Sequence, residues 1–304
     1  MAIIIHDVGM RDGLQVETTV VPTERKVAWI EQLITSGIDA VQVGSFVNPR
    51  LVPQMADTDA VCRHFADRMP ARTRLTALVL NEKGLERGLA AGVRDFCMGV
   101  SASDTHSRKN TGMSTVEATA RIIATAHEAI DAGARVQLSV QSAFGCGFEG
   151  AIAASTVTRI VSEFVDAGFR TISLADTAGH ATPRQVQSLF RAVQRAAPDV
   201  VCACHFHDTY GLAMVNAWAA LECGVQSFEA AFAGVGGCPF AAVAAGNLCT
   251  EDFVHLLQRN ELRGDVHLDA LLALANEAEQ LFGRPLPGVI HRTGPLRETA
   301  GARG

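Results

Sequence analysis

One phrase recurs along this chain: a helix-forming stretch, a small residue followed by glycine, then a β-rich run. It reads TSGIDAVQVGS at Gly37, AAGVRDFCMGV at Gly92, DAGARVQLSV at Gly133, DAGFRTISLAD at Gly168 and ECGVQSFEAAF at Gly224. A glycine just past a helix end takes the left-handed conformation that closes the helix, and the chain then enters a strand. The gaps between these glycines are 55, 41, 35 and 56 residues. Spacing of about 40 suits one strand–helix unit with its loops, and the longest gap holds a further unit. That unit is PDVVCACHFHD, whose apolar run starts at Val200 and follows a helical stretch opening at Pro183, a residue suited to the first helical position. With the opening IIIHDV and the run TRLTALVL, eight strands are predicted to begin near residues 3, 39, 74, 94, 135, 170, 200 and 226.

Short, nearly continuous apolar runs are the mark of parallel strands buried on both faces. Eight of them alternating with helices predict an α/β fold, a (β/α)8 TIM barrel, with an additional helix near His267–Gly283. The alternative is a doubly wound open sheet. Such a sheet would carry a glycine-rich nucleotide turn after its first strand, whereas this chain reads GMRDGLQ there. Residues 1–283 are expected to form one catalytic domain. Residues 284–304, with three Pro and four Gly in 21 residues, are expected to form a loosely held end.

Composition narrows the function. With 304 residues, 48% of them hydrophobic, the chain can bury a large core without disulfides or metal. A net charge of −6 and 6% aromatics argue against a nucleic-acid partner. No apolar run reaches the roughly 18 residues needed to cross a bilayer, so no membrane partner is expected. Met1–His6 has no basic region in front of it and reads as a buried first strand, not a signal peptide, which implies a cytoplasmic protein. The eight cysteines form no Cys-x-x-Cys pair and read as reduced thiols.

In a barrel of this kind chemistry sits on the loops at the C-terminal ends of the strands. Chemically capable residues fall there in order: Arg11, Asp12 and Gln15 after the first strand, then Gln42 and Ser45 at the second. Cys146 and Glu149 follow the fifth, Asp176 ends the sixth, and His205 and His207 end the seventh. Cys238 follows the eighth, with Asn247 and Glu251 on the next helix. On a strand, residues i and i+2 project to one side, so His205 and His207 point together. They read either as a hydrogen-bonded pair or as two ligands to one divalent ion. Asp12, His205, His207 and Asn247 with waters make a mixed N/O six-coordinate set, suited to Mg²⁺ or Mn²⁺. Arg11 reads as a guanidinium able to hold a carbonyl or enolate oxygen, or as half of a solvated Arg–Asp pair. Cys238 lies in GVGGCPF, a mobile segment fit to act as a lid over the mouth. Its thiol is then a proton donor or nucleophile, or else an inert buried group. Cys202 and Cys204 share the strand face opposite the histidines and are expected to pack against helices.

With VGMRDGLQ, GSFVNPRLVPQM, FGCGFEG, SLADTAGHATP, HFHDTYGLAMVNAWAAL, GVGGCPFA and GNLCTED, the chain resembles the 3-hydroxy-3-methylglutaryl-CoA lyase family of metal-dependent TIM-barrel carbon–carbon lyases. The resemblance spans about residues 4 to 282. It implies a retro-Claisen cleavage of an acyl-CoA substrate to acetyl-CoA and acetoacetate, with a divalent cation held by Asp12, His205, His207 and Asn247. Asp12 or His205 is the implied base, Arg11 the group that bears the enolate charge, and Cys238 the thiol that helps protonate it. Gln15, Gln42, Ser45 and Asp176 are implied substrate contacts, Glu251 has a supporting role, and a homo-oligomer, a dimer by preference, is implied. Gln42 stands where the family usually carries Glu, and Met10 where it usually carries Pro. A neutral amide there changes the charge balance around Arg11 and with it the substrate fit. The alternatives are the same chemistry on another branched 3-hydroxyacyl-CoA or a hydroxy-keto acid, and a barrel that binds acyl-CoA or metal without turnover.

Overall fold

The computed structural model describes residues 3–237 and 246–296. Its eight strands are β1 (Ile4–Asp7), β2 (Ala40–Ser45), β3 (Arg74–Leu78), β4 (Asp95–Ser101), β5 (Arg135–Gln141), β6 (Thr171–Asp176), β7 (Val201–Phe206) and β8 (Ser227–Ala230). All pair in parallel and in order, and β1 closes on β8 with Ile4 opposite Ser227 and Asp7 opposite Ala230. The result is a TIM barrel, as the repeat predicts. The five recurring glycines all take positive φ, between 78° and 94°, which is why the phrase needs glycine there. Two helices open on capping boxes: Ser114 with Glu117 before Thr115–Asp131, and Thr182 with Gln185 before Pro183–Ala196. Each satisfies amides that a helix start would leave unpaired.

Apolar residues pack between the barrel and its helices, with Phe164, Phe190, Phe228 and Phe253 fully buried. Cys202 and Cys204 belong to this layer. The barrel interior is different, being polar toward the mouth: His6 Nε2 lies 2.9 Å from Thr76 Oγ1, and Gln137 Nε2 donates to Glu229 Oε1 at 2.7 Å. The core is therefore the outer shell, and the inner face is free to carry chemistry.

The added helix, Leu268–Phe282, ends at Gly283 in the left-handed conformation. Trp29, on the helix Thr23–Thr35, is wholly buried with its ring edge-on to Phe232 at 5.5 Å and Phe282 at 6.4 Å. Trp29 thus ties the first helix to the added helix and to the turn after β8. Trp29→Ala is expected to lower unfolding free energy by about 3–5 kcal/mol, read by urea denaturation; a loss below 1 kcal/mol would contradict this packing account.

The expectation of a loose end from residue 284 does not hold for residues 284–296. Leu286 and Ile290 are buried there, and a short helix forms at Ile290–Thr293. The Asp252 carboxylate accepts the amides of Val289 and Ile290, which anchors that turn. Two apolar side chains and a cap outweigh the Pro and Gly content. Among the described residues, no helix is long and apolar enough to cross a membrane.

Candidate active site

After β1 the chain makes a π-helical turn, Gly9–Gly13, which carries Arg11 and Asp12. The turn packs directly on the segment after β8. A Cβ on Gly9 would meet Phe232 at 2.5 Å, and one on Gly13 would meet Val235 at 2.4 Å. Arg11 Nε donates to Gln42 Oε1 and Nη1 to Asp12 Oδ1. Asp12 Oδ1 also accepts from Gln15 Nε2 at 3.0 Å, and Oδ2 accepts from Asn247 Nδ2 at 3.0 Å.

His205 and His207 complete the cluster from the end of β7. Their Nε2 atoms lie 3.7 and 3.5 Å from Asp12 Oδ2, and their rings are 4.9 Å apart. One donor atom from each of Asp12, His205 and His207 lies within 4.8 Å of the others, and all three residues are buried. An isolated bridge between His207 and Asn247 brings the latter alongside. Asn247 turns its amide nitrogen to Asp12 and to the Val235 carbonyl, leaving Oδ1 buried without a hydrogen bond.

Burial alone would raise the Asp12 carboxyl. The Arg11 charge, then His205, His207 and the Asn247 amide, instead hold it well below the usual range. Burial and the His205 charge push His207 down to about 4. Burial would also lower His205, but the bond to Glu229 and the Asp12 charge raise it. The cluster thus pairs an anionic carboxylate with one neutral and one readily charged imidazole.

These groups line the mouth of a cavity of about 1390 Å³. Gln15 and Gln42 line it as well, and exposed Lys83 with Arg87 borders the same space. Ser45 reaches the inner face through a bulge. The register shifts between Gln42 and Gly44, so Ser45 pairs with cavity-lining Leu78 while Gly44 faces Thr58 outside. The Ser45 hydroxyl is buried there without a hydrogen bond.

Asp176 stands apart from the cluster. It pairs with Phe206, on the outer face, while its neighbour Ala175 pairs with His205. Its carboxylate accepts the amides of His180 and Ala181, and so closes the turn after β6. Cys146 and Glu149 instead meet the segment after β4, with Cys146 Sγ donating to Ser103 Oγ and Glu149 accepting the Thr105 amide. Cys238 lies outside the described residues.

Glu251 sits behind the cluster at the start of the helix Thr250–Arg259. Its Oε2 accepts the amide of Ala233, whose φ is +54°, and Oε1 lies 3.7 Å from His291 Nδ1. Burial pushes this carboxyl up from 4.5 to about 8. The folded chain therefore binds the Glu251 proton more tightly than the unfolded chain does. The associated stability is full below pH 4.5 and is lost as pH rises through about 8. Glu251→Gln keeps an acceptor for Ala233 and removes the titration. Its melting temperature relative to wild type is expected to rise steadily between pH 5 and pH 8, and a pH-independent difference would contradict this account.

Sequence reasoning missed Glu229 and Gln137. Glu229 Oε2 lies 3.2 Å from His205 Nδ1, and its carboxyl, which burial would raise, is held at about 2 mainly by His205. A lone acid inside the apolar run QSFEAAF was the available signal, since unpaired charges are seldom buried.

A closed barrel with a carboxylate–imidazole cluster beside a fixed guanidinium at its C-terminal mouth defines a TIM-barrel enzyme. A family model described as HMGL-like matches residues 2–277. The (R)-citramalyl-CoA lyase of Chloroflexus aurantiacus is 39% identical, over 97% of this chain and 96% of its own length. Hydroxymethylglutaryl-CoA lyase YngG of Bacillus subtilis is 36% identical, over 94% and 95%. An HMG-CoA lyase of Acinetobacter baumannii, solved with coenzyme A and 3-methylmalate, superposes with a TM-score of 0.92 at 33% identity, covering 98% of this chain and 97% of that one. The chain belongs to the HMGL-like family and is a carbon–carbon lyase.

Proposed function

We propose that this chain is a divalent-cation-dependent lyase that breaks the C2–C3 bond of 3-hydroxy-3-methylglutaryl-CoA, giving acetyl-CoA and acetoacetate. The observation that carries this is the convergence of Asp12, His205 and His207 donor atoms within 4.8 Å beside Arg11. The donor set suits Mg²⁺ or Mn²⁺, and the orphaned Asn247 Oδ1 is a buried oxygen of the kind a cation satisfies. Asp12, His205, His207 and Asn247 would hold such a cation, which would supply Lewis-acid polarisation of a substrate oxygen.

Asp12 accepts the proton of the 3-hydroxyl as that carbon becomes the ketone, because a carboxylate that ligates a cation keeps further lone pairs, whereas His205 would have its one lone pair on the cation. The electrons of the broken bond pass to the thioester as an enolate. Arg11 faces that charge with its Nη2 end, because Nε and Nη1 are already held by Gln42 and Asp12. Cys238 returns a proton to C2. Lys83 and Arg87 supply charge for the phosphates of coenzyme A.

A second reading is cleavage of citramalyl-CoA, one methylene shorter, to acetyl-CoA and pyruvate. It is favoured by the neutral Gln42 on Arg11 and by the 39% identity to a lyase of that name. The test is one assay of the purified protein with each thioester, with Mg²⁺ or Mn²⁺ and with EDTA, following acetyl-CoA, acetoacetate and pyruvate. Cation-dependent acetoacetate supports the first reading, and pyruvate alone supports the second. Release of neither overturns both.

A further inference from the structure

We infer that Glu229 is the positioning residue of the cation site. It holds the His205 ring with Nε2 toward Asp12, and so sets how tightly the site retains a divalent ion. The inference rests on the cation reading of the Asp12–His205–His207 cluster given above. Parallel register sets Glu229 directly beside His205 on the neighbouring strand. Glu229 Oε2 reaches Nδ1 at 3.2 Å, while Nε2 of the same ring lies 3.7 Å from Asp12 Oδ2. The imidazole is thus spanned by two carboxylates, one at each nitrogen. Glu229 is itself fixed, because Gln137 Nε2 donates to Oε1 at 2.7 Å. Both Glu229 and Gln137 line the cavity.

A neutral imidazole has one N–H and one lone pair. A carboxylate at Nδ1 takes the N–H and leaves the Nε2 lone pair for a cation, at the same time making that nitrogen a stronger donor. His207 supplies the contrast: Nδ1 is buried in both rings, yet among the described residues a carboxylate oxygen stands opposite Nδ1 only at His205, through Glu229 Oε2, whereas His207 meets Asp12 through Nε2.

The experiment titrates Mn²⁺ into the full chain and reads the free ion by electron paramagnetic resonance, with the melting temperature of each variant taken in EDTA. Glu229→Met keeps volume and removes the acceptor. It is expected to raise the Mn²⁺ Kd about 10- to 100-fold while the metal-free chain melts within a few degrees of wild type. Glu229→Gln keeps an acceptor at Nδ1 and is expected to recover part of the affinity. Gln137→Met frees the carboxylate and is expected to weaken binding a few-fold. A folded Glu229→Met chain with unchanged Kd overturns the inference. If that chain does not fold, unchanged Kd in both other variants overturns it. A wild-type chain that takes up no Mn²⁺ overturns the cation reading itself, which is a separate result.

Discussion

Asp12→Asn is expected to abolish Mn²⁺ uptake and to lower kcat/KM on the acyl-CoA substrate by about 10³-fold, equivalent to about 4 kcal/mol of transition-state stabilisation. Asp12 is the carboxylate among the three clustered donors, and its Oδ2 is the atom on which both histidines and Asn247 converge. Asparagine keeps the size and one acceptor oxygen but removes the charge that offsets Arg11. The substitution also frees Arg11, so rate alone does not identify the cause. Cation affinity does, because a misplaced guanidinium leaves Mn²⁺ uptake intact. An Asp12→Asn chain that turns over within tenfold of wild type and ignores EDTA would remove the cation from the reaction.

Arg11→Met is expected to lower kcat by about 10³-fold with KM changed less than tenfold, the signature of a donor used where charge develops. Two of its nitrogens are spent on Gln42 and Asp12, which fixes the plane of the guanidinium before substrate arrives. Arg11→Lys is expected to fall between the two, since an ammonium carries the charge without the fork. Loss confined to KM would mean that Arg11 binds substrate and transition state alike.

The barrel was legible because its signal is local. Each small–Gly–strand phrase needs a left-handed glycine, and the strands begin at residues 4, 40, 74, 95, 135, 171, 201 and 227, within one residue of the positions read from the sequence. The cluster was legible for a related reason: His-x-His at a strand end and Arg-Asp after the first strand follow from period and place. Facing was not legible. Strict alternation puts Gln42 and Ser45 on opposite faces, and only the bulge at Val43 brings them together. Asp176 sits at a strand end like His205, yet its phase turns it outward to the amides of His180 and Ala181. Glu229 was hidden because its partner lies on another strand, and pairing register between strands is not written in either one. The tail misled for a similar reason, since Leu286 and Ile290 find their burial against residues far away in sequence.

The closure of β1 on β8 gives the site its shape. Asp12 and Asn247 are 235 residues apart in sequence and meet across that seam. Asp12 follows the first strand and the two histidines end the seventh, while Asn247 follows the eighth, so the full donor set comes together only in the closed ring. An ion held there grips the two ends of the ring. At a hundredfold excess over its Kd it would add about 2.7 kcal/mol to the closed state, so an ion proposed for the reaction would also act as a rivet of the barrel.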